Sequence, residues 1–179
     1  MQSLTLRVLG HILAMEEDRL DRLSREWSEQ RSDMDLSPWQ VWGRVTRIND
    51  IFLSRLSRLL SQHDLNFKEL QTLGALIVSG PPYEANPNKI SRHNLLTSGG
   101  MTNALTRMEK KGLVTRRKDP SDGRAVIVTV TQKGLDTFDA IIIKENAIEH
   151  KLLDGIDNEE RKSVAGVLRK ILRNIDDDE

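Results

Sequence analysis

The chain has 179 residues, with 27 Lys and Arg balanced by 27 Asp and Glu, and it contains no cysteine. That length supports one good core, or one core plus an appended interaction element. Without cysteine, disulfides, thiol redox sensing and Cys-ligated zinc are excluded, and no apolar run approaches the roughly 18–20 residues of a membrane span. The opening MQSLTLRVLGHILAMEEDRL mixes charges into its apolar positions, which argues against a signal peptide and for a cytoplasmic protein.

In chain order, Leu4, Val8, Ile12, Met15, Leu20, Leu23 and Trp27 recur at mostly three- and four-residue spacings, which predicts one long amphipathic helix. Ser37 then offers an N-cap with Pro38 in the first helical position, ahead of an apolar stripe from Trp42 to Leu59. A third helix is capped by Asn66 and stopped at Gly80, and PPYEA follows as a loop. Asn86 and Pro87 open a short helix, TSGG makes a turn in which Ser98 caps the next helix, and Gly112 ends that helix. LVTRR and AVIVTV predict two strands joined by the turn formers KDPSDGR. Thr131 caps a helix after them, and a last helix follows GIDN. The expected class is mainly α with a small β-hairpin wing: a winged helix-turn-helix between N- and C-terminal helices.

The neutral total conceals segregation. Between Lys89 and Lys133 there are ten cations (89, 92, 107, 110, 111, 116, 117, 118, 124, 133) and three acids (109, 119, 122), a local balance of 10 − 3 = +7. Such a footprint on one structural unit suits a polyanion. A helix read into the major groove needs short polar side chains near its N-terminus, and Thr102, Asn103 and Thr106 supply them, with Arg107 long enough for guanine or phosphate. Ser98, Gly99 and Gly100 allow close backbone approach to a phosphate. Lys89, Ser91 and Arg92 on the preceding helix, and Arg117 and Lys118 on the hairpin, suit further phosphates. Arg124 suits a narrow minor groove, while Asp119 and Asp122 can shape the wing by pairing with neighbouring Arg.

TSGGMTNALTRMEKKGLVTRRKDPSDGRAVIVTVTQKG resembles the signature of the MarR family of transcription regulators, and the extra N-terminal helix resembles its urate-responsive HucR/PecS branch. The resemblance implies a homodimeric repressor on a pseudo-palindromic double-stranded operator, released by a small aromatic or phenolic effector, with no cofactor required. It divides the chain into an additional helix (1–35), a helical dimerisation region (36–62 and 135–179) and a DNA-binding domain (63–134). It implies ligand roles for Trp27 and Arg116, with Trp39 beside them. Gln71 and Ala104 stand where that branch carries an Asp and an Arg, so an aromatic anion other than urate is expected. The four histidines show no metal-ligand spacing. A rival reading is a protein–protein adaptor whose winged helix does not read DNA. An enzyme lacks support, because no nucleophile–base pair or phosphate-binding glycine loop is present.

Overall fold

The computed structural model describes residues 17–87, 98–120 and 125–176. Its elements are α1 (Arg19–Gln30), α2 (Ser37–Ser61), α3 (Phe67–Val78), β1 (Glu84–Ala85), α4 (Ser98–Lys110), β2 (Val114–Lys118), β3 (Val126–Val130), α5 (Gln132–Leu152) and α6 (Asn158–Asp176). The chain divides after Ser54 into two compact units. That boundary falls inside α2.

In the first unit, the described part of the expected helix starts at Arg19, and Leu4, Val8, Ile12 and Met15 lie outside the described residues. Asp18 has extended backbone and caps a new helix by accepting from the Leu20 and Asp21 amides at 2.7 and 3.0 Å. Two carboxylates so close to a helix N-terminus favour a start there over passage through it. Arg44 of α2 then bridges Asp18 at 3.0 Å and Asp21 at 2.7 Å, and its hydrogen bond holds the Asp21 carboxyl below its usual range. Helix α2 begins one residue earlier than expected. Ser37 is already helical, and Asp35 does the capping, accepting from the Ser37 amide at 2.9 Å and the Ser37 hydroxyl at 3.0 Å.

The second unit holds every buried apolar side chain among the described residues. Asn66 caps α3 in a reciprocal box with Glu69, and Gly80 leaves the helix with φ +76. Met101, Ala104, Leu105 and Met108 make the buried stripe of α4 at helical spacing. Gly112 has φ +70. Its amide bonds the Glu109 carbonyl at 2.9 Å while the Leu113 amide bonds Met108 at 2.9 Å, a Schellman closure that turns the chain directly into β2.

The sheet is antiparallel in the order β1-β3-β2, with Val114 opposite Val130 and Lys118 opposite Val126. β1, within the segment expected to be a loop, pairs Glu84 with Thr129 and Ala85 with Val128. Its two residues carry no period of their own, and only the exposed edge of β3 makes them a strand. Thr131 caps α5 by accepting from the Gly134 amide at 3.1 Å, and Asp157 caps α6 through the Glu159 and Glu160 amides at 2.8 and 2.9 Å. No described helix is long and apolar enough to cross a membrane.

Candidate nucleic-acid interface and effector cavities

Helix α4 separates its faces sharply. Its apolar stripe is sealed against α3 and the sheet, while Thr102 and Asn103 are exposed in its N-terminal half. Thr106 is half-buried and donates its hydroxyl to the Thr102 carbonyl at 3.0 Å. Ala104 is fully buried, so this position packs the core and presents no charge. The wing closes where the Asp119 amide bonds the Ala125 carbonyl at 3.0 Å, and Lys118 is exposed beside it. The expected contacts Lys89, Ser91, Arg92 and Arg124, and the wing-shaping Asp122, lie outside the described residues, as does the side chain of Ser98.

The positive charge is less free than the sequence count implies. Of the seven described cations in that segment, four pair with carboxylates. Glu69, 1% exposed, accepts from Arg107 Nε at 3.1 Å and from Lys111 Nζ at 3.2 Å while still capping α3. Arg117 reaches across the sheet to Glu84 at 3.0 Å, and Thr129 donates to the same carboxylate at 3.3 Å. Arg116, on the opposite face of β2, donates through Nε to Glu109 at 2.8 Å. Two of these acids, Glu69 and Glu84, stand outside the counted segment. Nothing in the sequence marks them as partners, although Asn66-x-x-Glu69 identifies a capping box. Arg107 nonetheless keeps about half its side chain (51%) exposed, and Arg117 keeps 48%.

The Arg116 hydrogen bond holds the Glu109 carboxyl below its usual range. The lowered folded value means the pair's contribution is present above the unfolded value and is lost as pH falls through the folded one. Arg116→Ala should therefore move the Glu109 titration upward in a side-chain NMR measurement. An unshifted midpoint in that variant would show the pair to be absent in solution.

Of the three expected ligand residues, Trp27 and Trp39 line one cavity of about 320 Å³ in the first unit, with Met34, Asp35, Leu36 and Pro38. Arg116 belongs to the second unit. Among the described residues lining the tryptophan cavity the one charged group is Asp35, whose carboxyl the Ser37 amide and hydroxyl hold below its usual range. A second, more open cavity of about 480 Å³ lies within the second unit, between α2 and α5. Among the described residues no group of three or more His, Cys, Asp or Glu side chains is gathered for a metal. Asp64, beside His63, lies 3.5 Å from Lys111 Nζ.

A polar-faced helix packed on a three-stranded sheet, with a capped helix behind it, defines a winged helix-turn-helix protein. Residues 63–125 match the MarR family model. The regulator PecS of Dickeya dadantii (strain 3937) is 23% identical over 84% of this chain and 91% of its own length. Among solved structures, Sco3205 of Streptomyces coelicolor, a MarR family regulator in complex with DNA, aligns with a TM-score of 0.70 at 20% identity over 79% of this chain and 89% of that one. The organohalide-sensing RdhR-CbdbA1625, bound to 2,4-dichlorophenol, aligns at 0.68 and 24% identity over 79% and 81%. The family and these relatives are transcription regulators, not enzymes.

Proposed function

We propose that the protein is a homodimeric, sequence-specific double-stranded DNA-binding repressor of the cytoplasm, released by a small aromatic or phenolic effector. The observation that carries this reading is the exposed Thr102–Asn103 pair on α4, opposite a fully buried stripe. A helix fixed so firmly on one face can present the other to base edges without losing its orientation. Thr102, Asn103, Thr106 and the exposed part of Arg107 address bases. Lys89, Ser91, Arg92, Arg117, Lys118 and the backbone of residues 98–100 address phosphates, and Arg124 enters the minor groove.

Dimerisation is supported by α6, none of whose residues is buried, although Val164, Val167, Leu168, Leu172 and Ile175 share its apolar face. Such a stripe remains exposed to water until another helix covers it. Two-fold symmetry then places two α4 helices about one helical turn of DNA apart, on a pseudo-palindromic operator. Bound over a promoter, the dimer excludes polymerase. The effector reading rests on the two cavities and on the aromatic ligand carried by a structural neighbour.

A mobility-shift titration against DNA from upstream of the protein's own gene, with salt varied and nonspecific duplex in excess, tests this. Asn103→Ala should weaken operator binding by about 1–3 kcal/mol and relax preference at one base pair per half-site. Weak binding that vanishes with modest salt, unaffected by this change, would leave only nonspecific attraction and overturn the reading.

A further inference from the structure

Glu84 has no helix to cap, yet its carboxylate holds a wing cation across the full width of the sheet. Glu84 stands opposite Thr129, and Thr129 opposite Thr115, so these side chains share one face. Arg117 lies two residues beyond Thr115 and joins them there, because strand side chains alternate between faces. The other face carries Ala85, Val114, Val128 and Val130, none more than 8% exposed, so the pair lies on the solvent side. Neighbouring strands are about 4.8 Å apart, and in the order β1-β3-β2 the two side chains bridge about 10 Å by lying across β3. We propose that Glu84 is a positioning residue for DNA binding: it orders the Arg117 guanidinium for one operator phosphate before DNA arrives. The inference deepens the regulator reading above and rests on it.

The geometry of the pair suits ordering as well as neutralisation. Both contacts run from Arg117 Nη2, at 3.1 Å to Oε1 and 3.0 Å to Oε2 of Glu84. The same guanidinium has further N–H donors on Nε and Nη1, and its side chain is 48% exposed, so a phosphate can take those while Glu84 keeps the first. The carboxylate is itself held, since Thr129 donates its hydroxyl to Oε2 at 3.3 Å. The backbone that carries it is held too. Tyr83 has φ +58, uncommon for a bulky side chain. Its amide bonds the Gly80 carbonyl at 2.7 Å, and its carbonyl accepts from the Val130 amide at 3.1 Å. The other acids that meet this basic segment serve elsewhere. Glu69 is 1% exposed and completes the cap of α3, and Glu109 takes Arg116 on the opposite face.

An arginine has many rotamers, and ordering one on binding costs affinity. Glu84 imposes that order in the free protein. A fixed guanidinium serves the phosphate that lies where α4 sits in register, whereas a free one follows any phosphate along a duplex. Phosphate contacts set register, so an acid on β1 sharpens discrimination without touching a base. Its charge also repels all DNA, operator and nonspecific alike. The ratio of the two affinities cancels that common term and isolates the positioning.

The test is binding of the full-length protein at fixed salt to two duplexes: the one the wild type selects from a random pool, and a scrambled duplex of equal length. The samples are the wild type, Glu84→Gln, Arg117→Lys and the double variant. Gln keeps an acceptor for Thr129 but loses the ionic hold. Lys keeps the charge but lacks the fork that serves carboxylate and phosphate together. Each single change should lower the ratio of selected to scrambled affinity about three- to tenfold. The double variant should lose no more than either alone. An unchanged ratio in either single variant, or losses that multiply in the double one, would overturn the proposal. A raised ratio would overturn it too, by showing that Glu84 competes with the operator phosphate for Arg117. A variant that merely folds less well loses active protein for both duplexes and leaves the ratio unmoved, which also counts against positioning. A wild type that selects no duplex sinks the regulator reading and this inference with it. A wild type whose preference the variants keep sinks this inference alone.

Discussion

Gly134→Ala is expected to destabilise the protein by about 2 kcal/mol, the net of an overpacking cost near 3 and a helix-propensity gain near 1. A Cβ at Gly134 would lie 2.2 Å from the Leu113 carbonyl oxygen and 2.7 Å from a methyl of Val130. The first is backbone, fixed on both sides. Leu113 O accepts from the Thr131 amide at 3.0 Å, and Leu113 N closes the turn out of α4. The added methyl would therefore part α5 from the junction where α4, β2 and β3 meet. Chemical denaturation should show a lower midpoint with an unchanged slope. An equal or raised midpoint would mean that α5 does not approach Leu113 as closely as described.

The second large effect is expected at Glu69. Glu69→Ala removes a fully buried carboxylate that serves the Asn66 amide at 2.9 Å, Arg107 at 3.1 Å and Lys111 at 3.2 Å. Breaking a buried ion pair costs roughly 3–5 kcal/mol, but Arg107 is half exposed and can turn to water, so about 3 kcal/mol is expected. Because α3 and α4 are joined through this group, operator affinity should fall as well, although Glu69 itself is 1% exposed. Glu69→Gln keeps an acceptor for the Asn66 amide and should lose less stability. A denaturation series with Lys111→Met as the second arm of a double-mutant cycle measures the coupling. Additive losses would show that Lys111 and Glu69 do not interact in solution.

The local parts of the fold were legible because their causes are local. Asn66, Thr131 and Gly112 each act within four residues, and their helix ends fall where capping chemistry puts them. The strands either side of the wing follow from β-branched runs, and the two faces of α4 follow from a 3.6-residue period. Asp18 was the exception among local signals. The apolar stripe continued past it, but a carboxylate accepting two helix amides outweighed the stripe.

Long-range pairing was not legible. β1 exists because β3 has an open edge 43 to 45 residues further on. The sequence by itself determined where the basic residues lie, which face of α4 is polar, and that two strands follow that helix. Only the tertiary structure decided how those charges are spent. Arg107 and Arg117 meet acids 38 and 33 residues away, whereas Arg55, Arg58 and Lys151 line a cavity with no acid among its described lining residues. It also brought Trp27 and Trp39 together around an acid. The physical reason is the same throughout: caps and periodicity act over one or two turns, while an ion pair or a cavity depends on groups that only folding brings within a few ångströms.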